Sequence, residues 1–235
     1  MTHPHVVAER SRAGYLRVLL ARPERRNALD AGMVGALVEA FTSDATAPVL
    51  LGSTDPRVFC AGADLTLGAA DRAVVSDLLY QCYEIMITRP GPVIAVIPGP
   101  AVGGGAQLAA AADLRVAGPR ARLRWTGPPG LGLAVGGWIL PSLAGRGTAM
   151  ELVLTGRWVE ATEAHARGLV NWLSDEPAQL GRQIAESLLT RAAGHPGPVK
   201  TIVSCGCLLD RLHAERAANQ AVWARVLARD GRRPG

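Results

Sequence analysis

The chain has 235 residues, 49% of them hydrophobic and 19% charged, with a formal net charge of +5. That length supports one substantial core plus a small helical appendage, and the composition excludes a disordered polypeptide. Lys200 is the only lysine, and the arginines run from Arg10 to Arg233 rather than gathering on one aromatic-bearing face, which argues against a nucleic-acid partner.

The first five residues lack the apolar core of a signal peptide, and no apolar run reaches membrane-spanning length without a charge or a Gly/Pro turn, so a cytoplasmic protein with no membrane association is expected. Cys60, Cys82, Cys205 and Cys207 make no metal-type pair with a histidine, which predicts buried free thiols and no metal site.

In chain order, residues 6–10 and 15–21 read as two strands joined at Ala13-Gly14. A helix over 30–41 follows, with Asp30 as N-cap and Met33, Val34, Leu37, Val38 and Phe41 on its apolar face. Residues 48–53 form a strand, and Val58-Phe59-Cys60-Ala61-Gly62-Ala63-Asp64-Leu65 closes it with a small-residue turn. Helix character returns over 71–88, with Val74, Val75, Leu78, Leu79, Cys82, Ile85 and Met86 as the apolar face and Tyr80 and Tyr83 packed with wet hydroxyls.

The most informative stretch runs from Pro90 to Leu108: an apolar strand, a Pro/Gly bend ending in Gly103-Gly104-Gly105, and an Ala/Leu-rich helix start. Glycine there permits positive φ and close approach of a ligand, and the first helical amides lack intrahelical acceptors. Two such turns on neighbouring strands can point two N–H groups at one oxygen, the arrangement that stabilises an oxyanion or enolate. Short strands over 113–117 and 121–125, a Pro/Gly loop over 126–135, helices after Gly136-Gly137-Trp138 and after Arg146-Gly147-Thr148, and a helix over 160–167 ending at Gly168 come next. Two long amphipathic helices over 179–193 and 199–229, separated by residues 194–198, complete the chain.

Taken together and in order, Arg22-Pro23-Glu24-Arg25-Arg26-Asn27-Ala28-Leu29, Phe59-Cys60-Ala61-Gly62-Ala63-Asp64, residues 92–107, Asp113-Leu114-Arg115-Val116-Ala117, Met150-Glu151-Leu152-Val153-Leu154-Thr155-Gly156 and Gly168-Leu169-Val170-Asn171 resemble the crotonase superfamily, the enoyl-CoA hydratase/isomerase family. The resemblance spans nearly the whole chain. It implies an α/β fold with a ββα spiral core over residues 1–190 and a helical C-terminal region over 191–235 that ends sooner than in relatives. It implies a homotrimer, or trimers paired into a hexamer.

The same resemblance marks Ala63 and Gly104 as the oxyanion amides. It makes Arg25, Arg26, Ala61, Asp64, Trp125 and Thr126 candidate substrate-binding residues, with Arg25 and Arg26 against a nucleotide diphosphate and Trp125, Thr126 and Trp138 at an acyl pocket, although ordering of the loop is the commoner role for Asp64 and core or rim packing for the two tryptophans. Tyr80 and Tyr83 fall in the region that borders the acyl pocket in the family, so contact with substrate is the alternative to packing for them. No separate cofactor is implied, because coenzyme A, or phosphopantetheine on an acyl carrier protein, would be part of a thioester substrate.

Hydratases of this family use two glutamates, since water must lose a proton as it attacks C3 while C2 gains one. Here the first position holds Gln107, which can orient water but cannot exchange a proton near neutral pH, and the second falls on Gly127 or Pro128. The expected function is therefore binding of an acyl thioester and stabilisation of its enolate in a specialised pathway. Decarboxylation without the glutamates, hydration with Gln107 holding water, and an accessory subunit that binds a thioester enzyme remain alternatives.

Overall fold

Apolar runs bounded by Pro, Gly and Asp become strands, and the longest of them fall at the centre of a sheet. The computed structural model describes residues 2–191, 196–204 and 206–230. Its main sheet contains β1 (Thr2–His3), β2 (Val6–Arg10), β3 (Leu16–Leu20), β4 (Val49–Ser53), β5 (Val93–Ile97), β7 (Leu114–Ala117) and β10 (Trp172–Leu173), in that spatial order. Strands β1 to β3 pair antiparallel, and every later pairing is parallel. A second sheet joins β6 (Ala101–Val102), β8 (Arg122–Arg124) and β9 (Val159–Glu160).

Both faces of the central strands are covered. All five residues of β5 are buried, as a parallel strand packed on both sides requires. One face carries the main core, to which α1 (Ala31–Ser43), α2 (Ala69–Thr88) and α3 (Gly104–Ala111) contribute. The other packs Leu50, Ile94, Val96 and Val116 against α6 (Pro177–Arg191). Helices α4 (Leu140–Thr155), α5 (Ala161–Ala166), α7 (Pro196–Ser204) and α8 (Cys207–Asp230) complete the molecule, with α8 lying along α2. No described helix is long and apolar enough to cross a membrane.

Local signals explain most of these bounds. The Asp30 side chain accepts a hydrogen bond from Met33 N at 2.8 Å and starts α1, and Gly168 at φ +77° follows α5. Three departures from the sequence reading have backbone or packing causes. The helix expected over 199–229 is two helices, because Gly206 takes φ +97° between them. A second glycine, Gly145 at φ +77°, kinks α4 and separates the two helices anticipated there.

The third departure lies in α2, where Val74 is exposed while Tyr80 and Tyr83 are buried with their hydroxyls bonded inside the protein rather than wet. Packing of α8 along α2 moves the buried stripe onto the tyrosines. Cys205, residues 192–195 and residues 231–235 lie outside the described residues, so the Cys205/Cys207 pairing, part of the 194–198 break and the end of the tail are not described.

Several basic side chains serve the scaffold. The Arg89 guanidinium donates to the carbonyls of Phe41, Asp44, Ala47 and Gly91, and that of Arg115 donates to Leu169 O at 2.9 Å, among other carbonyls. Lys200 Nζ reaches from α7 to Met86 O at 2.6 Å and Asp113 Oδ2 at 2.8 Å. Buried cations so placed satisfy carbonyls at helix ends and sheet margins.

A close backbone approach falls where α3 crosses the 58–65 turn. A Cβ added at Gly105 would lie 2.6 Å from Cys60 Cβ and 2.7 Å from Cys60 O. Gly105→Ala is therefore expected to destabilise the chain by about 1–3 kcal/mol in urea denaturation, the usual cost of overpacking a tight contact.

Candidate active site

The site begins with two turns stitched together by their backbones. Phe59 N and Cys60 N donate to Pro100 O at 3.1 and 3.2 Å, and Val102 N donates to Cys60 O at 2.9 Å. Gly62 at φ +88° and Gly103 at φ +54° carry the bends. A Cβ on Gly62 would fall 2.7 Å from Val102 O and 3.5 Å from Gly104 N, so the two turns meet only because Gly62 has none.

This contact leaves two amides unused. Leu29 N donates to Gly62 O at 2.8 Å and Asp64 N donates to Leu29 O at 2.9 Å, and between them the Ala63 N–H bonds to no protein acceptor among the described residues. Gly104 is the first residue of α3, so its N–H has no intrahelical partner and meets no other acceptor there. The Tyr83 hydroxyl donates to Gly104 O at 2.8 Å and holds that peptide in place.

Both residues line a cavity of about 240 Å³, together with Ala61, Gln107 and Thr126. Gly127 and Pro128 line it too, and no acidic side chain does. Two N–H donors at the mouth of α3 favour negative charge on an acceptor placed there.

Gln107 is held by its oxygen. Its Oε1 accepts from Trp138 Nε1 at 2.7 Å and from Gly136 N at 3.1 Å; since both partners are donors, the orientation of the amide is settled and only its NH₂ remains for the cavity. Trp138 in turn stacks on Tyr83 with ring centroids 5.8 Å apart.

Behind this amide lies a carboxyl group that the sequence reading did not single out. Glu215, on α8, accepts from the Tyr80 hydroxyl at 2.8 Å and Gly136 N at 3.1 Å through Oε1, and from Trp138 N at 2.9 Å through Oε2. Asn219, one turn further along α8, donates to the Tyr80 hydroxyl at 2.7 Å and exchanges hydrogen bonds with both backbone groups of Ala134. Burial raises the Glu215 pKa, and the Tyr80 hydroxyl and backbone N–H groups of the 136–138 turn act against that shift. Tyr80 and Asn219 line the cavity; Glu215 sits one layer back.

The remaining residues singled out from sequence fall into three groups. Ala61 and Thr126 face the cavity with Ala63, Gly104 and Gln107. Trp125 and Trp138 belong to the core, 1% and 0% exposed, and neither is among the cavity-lining residues, because Gly136 approaches within Cβ contact of the Trp125 ring and Trp138 packs on Tyr83. Asp64 bonds Thr66 and Arg22; the Thr66 hydroxyl and the Arg22 guanidinium hold its carboxyl below the usual range, so it orders the turn rather than facing the cavity.

Arg25 and Arg26 are exposed on a single 3₁₀ turn beside the site, where Ala61 N donates to Arg26 O at 3.0 Å. Cys60 is fully buried, and burial pushes its thiol up to about 12, which leaves it a packing residue. Cys207, expected to be buried, is instead exposed, because it is the first residue of α8, ahead of the buried stripe of that helix.

A mostly parallel sheet, a glycine bend delivering the first turn of a helix beside a second strand-end turn, and a cavity closed by a C-terminal helix define the crotonase superfamily. The chain belongs to the enoyl-CoA hydratase/isomerase family, whose profile matches residues 10–235. It is 38% identical over 167 residues to a probable enoyl-CoA hydratase of Mycobacterium leprae, covering 67% of each chain. It is also 32% identical over 207 residues to the 1,2-epoxyphenylacetyl-CoA isomerase of Escherichia coli, covering 81% of this chain and 79% of that one. The fold superposes on the crystal structure of an enoyl-CoA hydratase from Bacillus anthracis with a TM-score of 0.79 and 28% identity, over 95% and 91% of the two chains. The aligned segments span between 57% and 67% of the length of the mycobacterial and plant hydratase relatives.

Glu215 makes stability depend on pH with a definite sign. A carboxyl whose folded pKa is raised binds more protons in the folded state, so its contribution falls as pH rises from the unfolded glutamate value toward the folded one. In urea titrations between about pH 4 and pH 8, the stability advantage of the natural chain over Glu215→Gln is expected to shrink as pH rises. Gln107→Glu would place a second carboxyl on the same Gly136 N–H; its stability should fall more steeply over that range, because two neighbouring carboxylates resist ionising together.

Proposed function

We propose that this chain binds an acyl thioester and stabilises the enolate of its acyl group with the N–H groups of Ala63 and Gly104. The observation that carries the reading is that these two amides, from turns locked together by three backbone hydrogen bonds, are both without a protein acceptor and both border the cavity. Negative charge that develops on the thioester oxygen when C2 becomes nucleophilic is what such donors favour, and losing one costs about 2.7–4 kcal/mol in comparable sites. Coenzyme A is the handle named for the relatives above, and phosphopantetheine on a carrier protein offers the same thioester. Arg25 and Arg26, beside Ala61 and exposed, are the cations we assign to its diphosphate.

Efficient hydration is not favoured, since Gln107 offers only an NH₂ toward the cavity and Gly127 and Pro128 offer no side-chain acid. Reactions that need an enolate more than an activated water fit better. Loss of CO₂ from the acyl chain is one: the C2–carboxylate bond breaks, its electron pair passes into the enolate, and C2 then takes a proton from solvent.

Gly104→Pro tests the site, because proline at the first helical position is tolerated while its N–H is gone. A Cβ there would press on the flexible end of Leu79 at 2.9 Å and otherwise meet the Tyr83 hydroxyl and Leu29 at 3.5 and 3.7 Å, so a folding check accompanies the variant. Calorimetry with coenzyme A, acetyl-CoA and crotonyl-CoA is expected to show acyl-CoA binding that weakens by roughly tenfold or more in the folded variant, with coenzyme A alone much less affected. Equal binding by both chains would refute the assignment of Gly104.

A further inference from the structure

The cavity is lined by two charged side chains, both cationic: Arg72 and Arg124. They are not equivalent. Arg124 is engaged, its Nε donating to Gly156 O at 2.6 Å and its guanidinium lying 5.7 Å from the Trp158 ring centroid. Arg72, in the first turn of α2, makes no ion pair or side-chain hydrogen bond among the described residues, and its Nε is buried without a partner. Its guanidinium rests 5.7 Å from the centroid of the Trp223 ring, on α8.

Trp223 adds a second observation. It is 5% exposed, lines the same cavity, and its indole N–H is also buried without an acceptor. Buried donors are paired in nearly all folded proteins, so two orphaned donors on adjacent residues of one cavity wall mark a place where an acceptor is missing. Ser76, one turn further along α2, lines the cavity as well and brings a hydroxyl that can donate.

Nothing on the cavity walls opposes an anion there. Gln107, Gly127 and Pro128 are uncharged, and Glu215 is not a lining residue but sits behind Tyr80, where burial favours its neutral form. A guanidinium packed on an indole face in a small, partly desolvated cavity presents a fork that fits a carboxylate.

We propose that the acyl group of the substrate carries a free carboxylate, making it a dicarboxylic acyl thioester, and that Arg72, backed by Trp223, is the residue that selects it. The inference rests on the thioester reading above and specifies the substrate class of the same site. Arg72 and Ala63/Gly104 then act on different ends of the acyl group: the amides take the thioester oxygen, and Arg72 takes the distal anion.

Two matched pairs test this by calorimetry on the whole chain, malonyl-CoA against propionyl-CoA and succinyl-CoA against butyryl-CoA, with free coenzyme A as reference. The natural chain is expected to prefer the acid in at least one pair by about tenfold, the scale of one charge-assisted hydrogen bond. Arg72→Met should abolish that preference while leaving butyryl-CoA and coenzyme A within about twofold, and Arg72→Lys, which keeps the charge without the fork, should restore part of it. Equal affinity within both pairs overturns the proposal without touching the enolate site, provided binding still depends on Gly104. Loss of coenzyme A affinity in Arg72→Met as large as the loss for succinyl-CoA also overturns it, since Arg72 would then serve the nucleotide phosphates. A chain that binds no thioester at all overturns both readings.

Discussion

Everything at the site depends on how closely residues 59–63 approach residues 100–105. Three backbone hydrogen bonds cross this seam, from Phe59 N and Cys60 N to Pro100 O and from Val102 N to Cys60 O, and glycines at 62 and 105 remove the side chains that would force it apart. The amides of Ala63 and Gly104 are left over because the seam satisfies their neighbours and not them. A pair of unused donors is costly when buried and useful when it borders a cavity, which is why their position at the cavity edge matters more than their identity.

The second support comes from far along the chain. Helix α8 lies on α2 and inserts Glu215 and Asn219 behind Tyr80, so one buried carboxyl holds the 136–138 turn and the Tyr80 hydroxyl, and shares the Gly136 N–H with Gln107, which also accepts from the Trp138 indole. The floor of the cavity is thus a connected polar network in which Gln107 takes part as an acceptor. A buried carboxyl with three donors tolerates burial through those donors, yet its desolvation still raises its pKa. The wall made by Arg72 and Trp223 differs in kind, since its donors lack protein partners.

Much of this was legible in residue order. Alternation and apolar runs place β2 to β5 and β7 within a residue or two, Asp30 marks the start of α1, and Gly168 marks the end of α5. The glycine bends and the amide at Gln107 are also readable, because they are properties of single positions. Trp125 and Trp138 sit next to the cavity-lining loop in sequence, and the approach of Gly136 and the stack on Tyr83 place both in the core, the reading their residue type favours over the acyl pocket. Tyr80 and Tyr83, for which packing with a wet hydroxyl is the commoner expectation and substrate contact the other, line the cavity with both hydroxyls bonded inside the protein.

By itself the sequence determined the family, the order of the elements and the two glycine turns, since each is set by local backbone preference or by one residue type. Tertiary structure alone decided which groups meet at the cavity. Glu215 lies 135 residues from Tyr80 and 79 from Gly136, and Trp223 meets Arg72 only across the α2–α8 contact. No periodicity encodes such distances. They follow from burying α8 against α2, and burial also decides which charges are paired, which donors are orphaned and which thiol is silent.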